Sequence, residues 1–268
     1  MAGTQGTSEA RKNQLVKMTI AARRLPGWED AKFLEEYEGV HANMTRGIAA
    51  AVPILRKYTQ LVAIPHKPIA GLPDGGRGPW DAVSTLEWTS LADLHNSFQA
   101  PEYKASAGSH KFADESSQVG ILSQEVASIT LDPAGFEARG DSATLLVGFF
   151  ARARGDGVMS QEDLAGRTAL IEGVGRGNTL LRYVLNRSVT PKDTEAFFAG
   201  TPFAETDWKT TEAFEQYWFP SREAAEKFLT GEQTLKKLFT NLPKGLDAGL
   251  SFAVVGKEIR VVEKAEQH

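Results

Sequence analysis

The 268-residue chain contains no cysteine, so disulfides, thiolate nucleophiles, cysteine-bound zinc and iron–sulfur clusters are excluded at once. It also lacks an uninterrupted apolar run near the ~20 residues that cross a bilayer, and no membrane association is expected. Positive charge is nowhere concentrated. Thirty Lys and Arg stand interspersed with 34 Asp and Glu, for a net charge of −4, which argues against a nucleic-acid partner. Motifs are missing too: there is no pair of histidines at i, i+4, no Gly-x-Ser-x-Gly elbow and no P-loop. The run Gly173-Val-Gly175-Arg-Gly177 follows a helical pattern and precedes a strand, the reverse of a dinucleotide fingerprint. No metal site is expected. Residues 1–14 are polar, without the apolar core of a signal peptide, and read as a disordered tail on a cytoplasmic protein. What remains is an ordinary composition, 41% hydrophobic and 24% charged, with length for one large domain or two.

One stretch joins a clear helical pattern to a residue able to move protons. From Trp28 to Ile48, a period of 3.6 puts Phe33, Tyr37, Val40, His41, Met44 and Ile48 on one side and most of the acidic residues on the other. Acidic residues crowd the first turns, where the helix dipole favours them, and Gly39 and Gly47 weaken or bend the later part. His41 therefore points inward. It is either a core histidine bonded to a carbonyl or a general acid or base facing a pocket, since imidazole titrates nearest to neutral pH.

Period-2 alternation predicts strands over 15–22, 54–64, 81–88 and 119–129, with the 28–48 helix after the first and a short helix over 90–98, capped by Ser90, after the third. Residues 66–79 and 101–117 read as irregular. A βαββαβ unit is then complete near residue 130. The order recurs: strands over 144–153, 178–186, 211–219 and 249–262, a helix after Ser160 with Asp163 as its capping partner, a loop over 192–207, and helices over 221–229 and 233–239. Trp88 with Phe98 and Trp218 with Phe228 stand at one interval, an offset of 130. Two such units imply two antiparallel four-stranded sheets, each with helices on one face, whose bare faces close a barrel by packing together. The expected class is α+β, with a first repeat over 15–130 and a second over 143–263.

The first repeat resembles the EthD-like family of the dimeric α+β barrel superfamily. The likeness rests on Phe33-Leu-Glu-Glu-Tyr37 and Val40-His41-Ala-Asn-Met44, the Trp80-Asp81 entry into a strand ending at Glu87-Trp88, Phe98-Gln-Ala-Pro101-Glu-Tyr103, and Phe112-Ala-Asp114. The second repeat keeps only the architecture, with no histidine on the helix after Ser160. One departure stands out: the acidic pair that often precedes the Phe-x-Asp segment is replaced here by Gly108, Ser109 and His110.

The resemblance implies a pocket between helices and sheet in the first half, used without cofactor on small hydrophobic or aromatic, polyketide-like or phenolic substrates. His41 would be the acid or base, Asp114 its orienting partner and Tyr37 a donor to an enolate oxygen, with Tyr58, Trp80, Glu87, Trp88 and Phe112 as the wall. The leading expectation is a lyase, cyclase or isomerase of secondary metabolism. Its rivals are cofactor-free oxygenation, haem held by a histidine, and a non-catalytic small-molecule carrier. His66 and His110 fall in loops expected to be solvated, and His95 is expected at a helix edge. Assembly of the fused pair into a homo-oligomer is left open.

Overall fold

The computed structural model describes residues 15–264 apart from 53, 64–68, 70, 107–109, 141–142, 154–156, 176–178 and 232–233. The 1–14 tail and His66 therefore lie outside the described residues. Strands form where alternation foretold them: β1 (Val16–Ala22), β2 (Leu55–Ala63), β3 (Ala82–Trp88), β4 (Val119–Thr130), β5 (Thr144–Arg152), β6 (Arg182–Ser188), β7 (Thr211–Phe219) and β8 (Leu246–Glu263). They close one antiparallel barrel in the order β1-β3-β2-β8-β5-β7-β6-β4. The first four strands thus run 4-1-3-2 and the last four 8-5-7-6, the same order shifted by four.

Two long strands join the halves. β4 pairs with β1 through Val119–Ser123 and with β6 through Ser123–Thr130. β8 serves β5 with its first part and β2 with Gly256 to Glu263. At that second seam a Cβ on Gly256 would lie 2.0 Å from the Val62 carbonyl oxygen, an atom fixed by the ladder. Gly256→Ala is expected to destabilise the barrel by about 1–3 kcal/mol, the usual range for overpacking, read as a lower urea midpoint.

Side chains inside the barrel alternate with those facing the helices, as a period of 2 demands. Leu61, Val83, Ile121, Val147, Phe149, Phe214 and Phe252 fill the interior. The outer face of the second half is a continuous apolar core built on Tyr183, Tyr217, Phe219 and Phe228. The outer face of the first half is divided among smaller clusters, and the pocket lies among them. No helix among the described residues is long and apolar enough to cross a membrane.

Three expectations need correction. Trp88 and Trp218 do not occupy equivalent places. Trp88 packs outward near Phe98, whereas the Trp218 indole turns inside the barrel and donates to Glu258 at 2.9 Å. A one-residue slip flips a strand's faces. The outward counterpart is Phe219, whose ring lies 5.2 Å from Phe228, and the capping serines Ser90 and Ser221 share this offset of 131. Second, Pro101–Lys104 and Thr194–Phe198 are helical inside segments read as irregular. Asp193 caps the latter by accepting from the Ala196 amide at 3.0 Å, and Phe198 stacks on Trp208 at 4.0 Å. Third, Val40 is 37% exposed instead of sharing the inner stripe of the 30–51 helix. The cause is a π-helical stretch, Glu35–His41, between the α-helical Asp30–Leu34 and Ala42–Ala51. It shifts the phase of everything after Leu34, and π-bulges are common at functional sites.

Candidate active site

The π stretch fixes where His41 points. It widens the helix around Gly39, and the Tyr37 carbonyl is taken by the buried Gln60 side chain of β2, Nε2 to O 2.7 Å. Gln60 Nε2 also donates to the Tyr58 hydroxyl at 3.0 Å. Both tyrosine hydroxyls meet Ser84 of β3, at 2.9 Å from Tyr37 and 3.4 Å from Tyr58. Burial pushes the Tyr58 phenol up to about 12 and the Tyr37 phenol well above its ordinary value, so both stay protonated at neutral pH. This network locks the helix to the sheet and presents the next turn, His41, Thr45 and Ile48, to a cavity.

The cavity lies between that turn and the outward side chains Met18 and Ile20 of β1 and Ser84, Leu86 and Trp88 of β3. Phe98, Tyr103, His110 and Phe112 complete its wall, with Pro202 and Phe203 reaching over from the second half. The space enclosed is about 90 Å³. A benzene ring needs a cavity of ~150 Å³, so a phenolic ligand must push side chains apart. The half-buried rings of Tyr103, Phe112 and Phe203 are the ones with room to yield.

The imidazole of His41 is packed among rings: Phe112 at 4.3 Å between centroids, His110 at 5.9 Å and roughly parallel, Tyr58 edge-on at 6.3 Å and Tyr37 at 6.4 Å. Its Nδ1 is cut off from solvent and has no hydrogen-bond partner. Burial, helped by the charge His110 can carry, pulls its pKa down to about 3. His41 is thus a neutral imidazole across the physiological range, with an unused ring nitrogen. The linkage has a definite sign. Unfolded His41 takes a proton near its ordinary value of ~6.5, while the folded ring resists until about 3. The unfolded state therefore binds more protons in that window, and stability is lost as pH falls through it. His41→Phe is expected to flatten the stability–pH curve between these limits, measured by urea unfolding at several pH values.

His110 was expected in solvent and is instead a wall of the cavity. Its Nε2 lies 3.2 Å from a carboxylate oxygen of Glu36, the second residue of the π stretch. Lys32 bonds the same carboxylate and holds it below the ordinary glutamate value. The contact is one of charge and not an aligned hydrogen bond, because Nε2 is sealed from solvent with no acceptor in line. The arrangement is a base held by a third group.

The other anticipated residues divide. Phe112 and Trp88 reach the cavity. Tyr37 and Tyr58 stand one layer behind it, with their hydroxyls on Ser84 and their rings against His41. Asp114 does not join His41: its amide donates to the Arg23 carbonyl at 2.9 Å and its carboxylate accepts from Ser116 at 2.7 Å, so it shapes the turn before β4, while its neighbours Ala113 and Glu115 line the cavity. Trp80 lies before the first residue of β3, outside its alternation, and folds over the barrel end onto Phe252 at 4.6 Å. Glu87 shares the inward parity of Thr85 and faces the barrel interior. His95 is tied to the Phe197 carbonyl at 3.1 Å.

In the second half the corresponding space is filled. Arg167 from the helix Gln161–Gly175 pairs with Glu215 of β7 at 2.6 Å, and the Tyr183 and Tyr217 hydroxyls bond the same carboxylate. That half offers no imidazole to this space, so the residues do not fit a histidine-held haem there. Among the described residues no group of three His, Asp or Glu side chains is placed to hold a metal ion.

The EthD domain model matches residues 25–116, the span that carries His41, His110 and Phe112. Over the whole chain the sequence is 33% identical to chalcone isomerase cfoK of Aspergillus candidus, across 257 residues, 95% of this chain and all of that one. The chain belongs to the EthD family. The fold of this EthD protein is similar to that of an anthrone oxidase-like protein, with a TM-score of 0.57 at 12% identity over 97% of this chain and 98% of that one. A chlorite dismutase of Candidatus Nitrospira defluvii overlays less well, with a TM-score of 0.46 at 12% identity over 92% of this chain and 91% of that one. By its kinship the EthD protein is an enzyme. The residue that sequence reasoning passed over is His110. Its signal was present: it takes the place of the family's acidic pair, two positions before Phe112.

Proposed function

We propose that the protein is a cofactor-independent isomerase that closes a ring in a chalcone-like phenolic enone, in the pocket between the 30–51 helix and the outer face of β1 and β3. The observation carrying this is a pair of stacked imidazoles on one cavity wall, one neutral with an unpartnered nitrogen and the other backed by a carboxylate. His110, beside the Glu36 carboxylate, takes the phenolic proton. The phenolate oxygen adds to the β-carbon of the enone, and the electron pair of the C=C moves into the carbonyl as an enolate. His41, held neutral by burial, donates to that oxygen, the role a neutral imidazole plays when an enzyme polarises a carbonyl. The proton then returns to the α-carbon. No atom is gained or lost, and no oxidant takes part.

The rest of the wall is mostly apolar, with Met18, Ile20, Leu86, Phe98 and Phe112, which suits aromatic rings and excludes water from the enolate. The identity with a chalcone isomerase supports the substrate class. Purified protein mixed with a 2′-hydroxychalcone should bleach the enone absorption and yield the flavanone with no uptake of oxygen. Absence of turnover across a panel of hydroxylated chalcones, or turnover that consumes oxygen, would remove this reading.

The same reading takes the two halves as copies of one βαββαβ unit, of which the first kept a pocket and the second became a solid support. The matching strand orders and the capping serines 131 residues apart support it.

A further inference from the structure

The pocket above lies outside the barrel, and a second and larger cavity lies inside it. Inward-facing positions change character along the strands. One cross-strand row is Ala21, Val83 and Leu61; the next is Thr19, Thr85 and Thr59; the next is Lys17, Glu87 and Lys57. The apolar row closes the floor of a bowl and the charged row surrounds its mouth, enclosing about 1040 Å³.

Charges placed this deep are not ordinary surface groups. Lys17 and Glu258 are 7% and 3% exposed. A barrel filled only for stability would carry aliphatic side chains here, because removing charges from water is costly. Most of the cations are matched: Lys17 lies 3.6 Å from Glu125, Lys57 3.2 Å from Glu263, and Arg139 3.3 Å from Glu258. Arg182 is different. It enters the bowl from the first residue of β6 and has no carboxylate within ion-pair distance among the described residues. Its guanidinium stands 5.0 Å over the Phe136 ring, and its Nε is sealed from solvent with no acceptor. The lining as a whole carries seven basic side chains against five glutamates.

We propose that this bowl is a second binding site, distinct from the outer pocket, that takes a small oxyanion, a carboxylate or a phosphate, on the Arg182 guanidinium. A planar fork of N–H donors suits either group, and the surplus of positive charge sets the sign. Phe136 and Trp218, in edge contact at 5.6 Å, form one wall and allow an aromatic carboxylate.

Calorimetric titration of the full chain with inorganic phosphate and, separately, with benzoate tests this. Saturable binding of at least one probe, one per chain, is expected. Arg182→Gln should weaken it by about tenfold or more, and His41→Ala should leave it unchanged. Binding of benzoate alone assigns an organic carboxylate, and binding of both assigns a general oxyanion site. Should Arg182→Gln fail to fold by circular dichroism, Arg182→Lys keeps the charge but not the fork and should still weaken binding several-fold. The proposal is overturned if neither probe saturates, if the Arg182 variants bind as the wild type does, or if His41→Ala abolishes binding, which would place the anion in the outer pocket.

Discussion

His110→Ala is expected to lower kcat/KM for ring closure of a phenolic enone by about 10²–10⁴-fold, the contribution a positioned acid–base group makes. Circular dichroism should be unchanged, because the ring packs at the cavity wall and not in a closed core. His110→Gln, which fills the space but cannot take a proton, should lose nearly as much. Glu36→Gln should lose less, since its carboxylate stands beside the imidazole without touching substrate. His41 behaves differently in the same experiment. With a pKa near 3 it adds no titration between pH 5 and 8, so the profile of His41→Gln should keep its wild-type shape at a lower height. A His110→Ala variant that retained wild-type kcat/KM would dispose of the acid–base assignment. The pocket would then act by enclosure alone.

Arg167→Met is expected to cost about 3–5 kcal/mol of stability, the largest loss from any single substitution considered, because it strands a carboxylate in a core. Glu215 is 1% exposed and accepts from Arg167 Nε at 2.6 Å, Arg167 Nη2 at 2.7 Å and Tyr183 at 2.8 Å. Removal of the guanidinium leaves only the phenols to compensate the charge. The double variant Arg167→Met, Glu215→Leu should recover most of the loss, since apolar residues of similar volume replace buried pairs at little cost. Urea unfolding of the two singles and the double gives the coupling directly. A single variant as stable as the wild type would mean that the pair is solvated, and that the second half is not the solid support its packing indicates.

Much of the architecture was legible in the chain. The strand character of 16–22, 82–88, 119–130, 144–152 and 211–219 is a local property, and burial on one or both faces of a sheet writes it directly into the order of side chains, as alternation or as a continuous apolar run. The capping groups at Ser90 and Ser160 could be read because a cap is a contact between residues three positions apart. The direction of His41 was legible in part. Helical spacing turned it inward, although the π stretch moved Val40 out of the stripe, because that stretch depends on Gln60, which holds the Tyr37 carbonyl from another strand. Trp80 and Glu87 were misplaced for a related reason: whether a side chain at a strand end faces helices or barrel interior is settled by register and by where pairing begins.

By itself the sequence determined which segments become strands and helices and in what order, and it marked His41 as the imidazole to watch, because periodicity, capping and composition act between near neighbours. The tertiary structure alone decided that His110 and Glu36 stand beside His41, that Asp114 does not, and that one half keeps a cavity where the other is closed by Arg167 and Glu215. Each of these depends on barrel closure. Closure sets the facing of every side chain through contacts between residues tens to hundreds of positions apart, and no local pattern records such contacts.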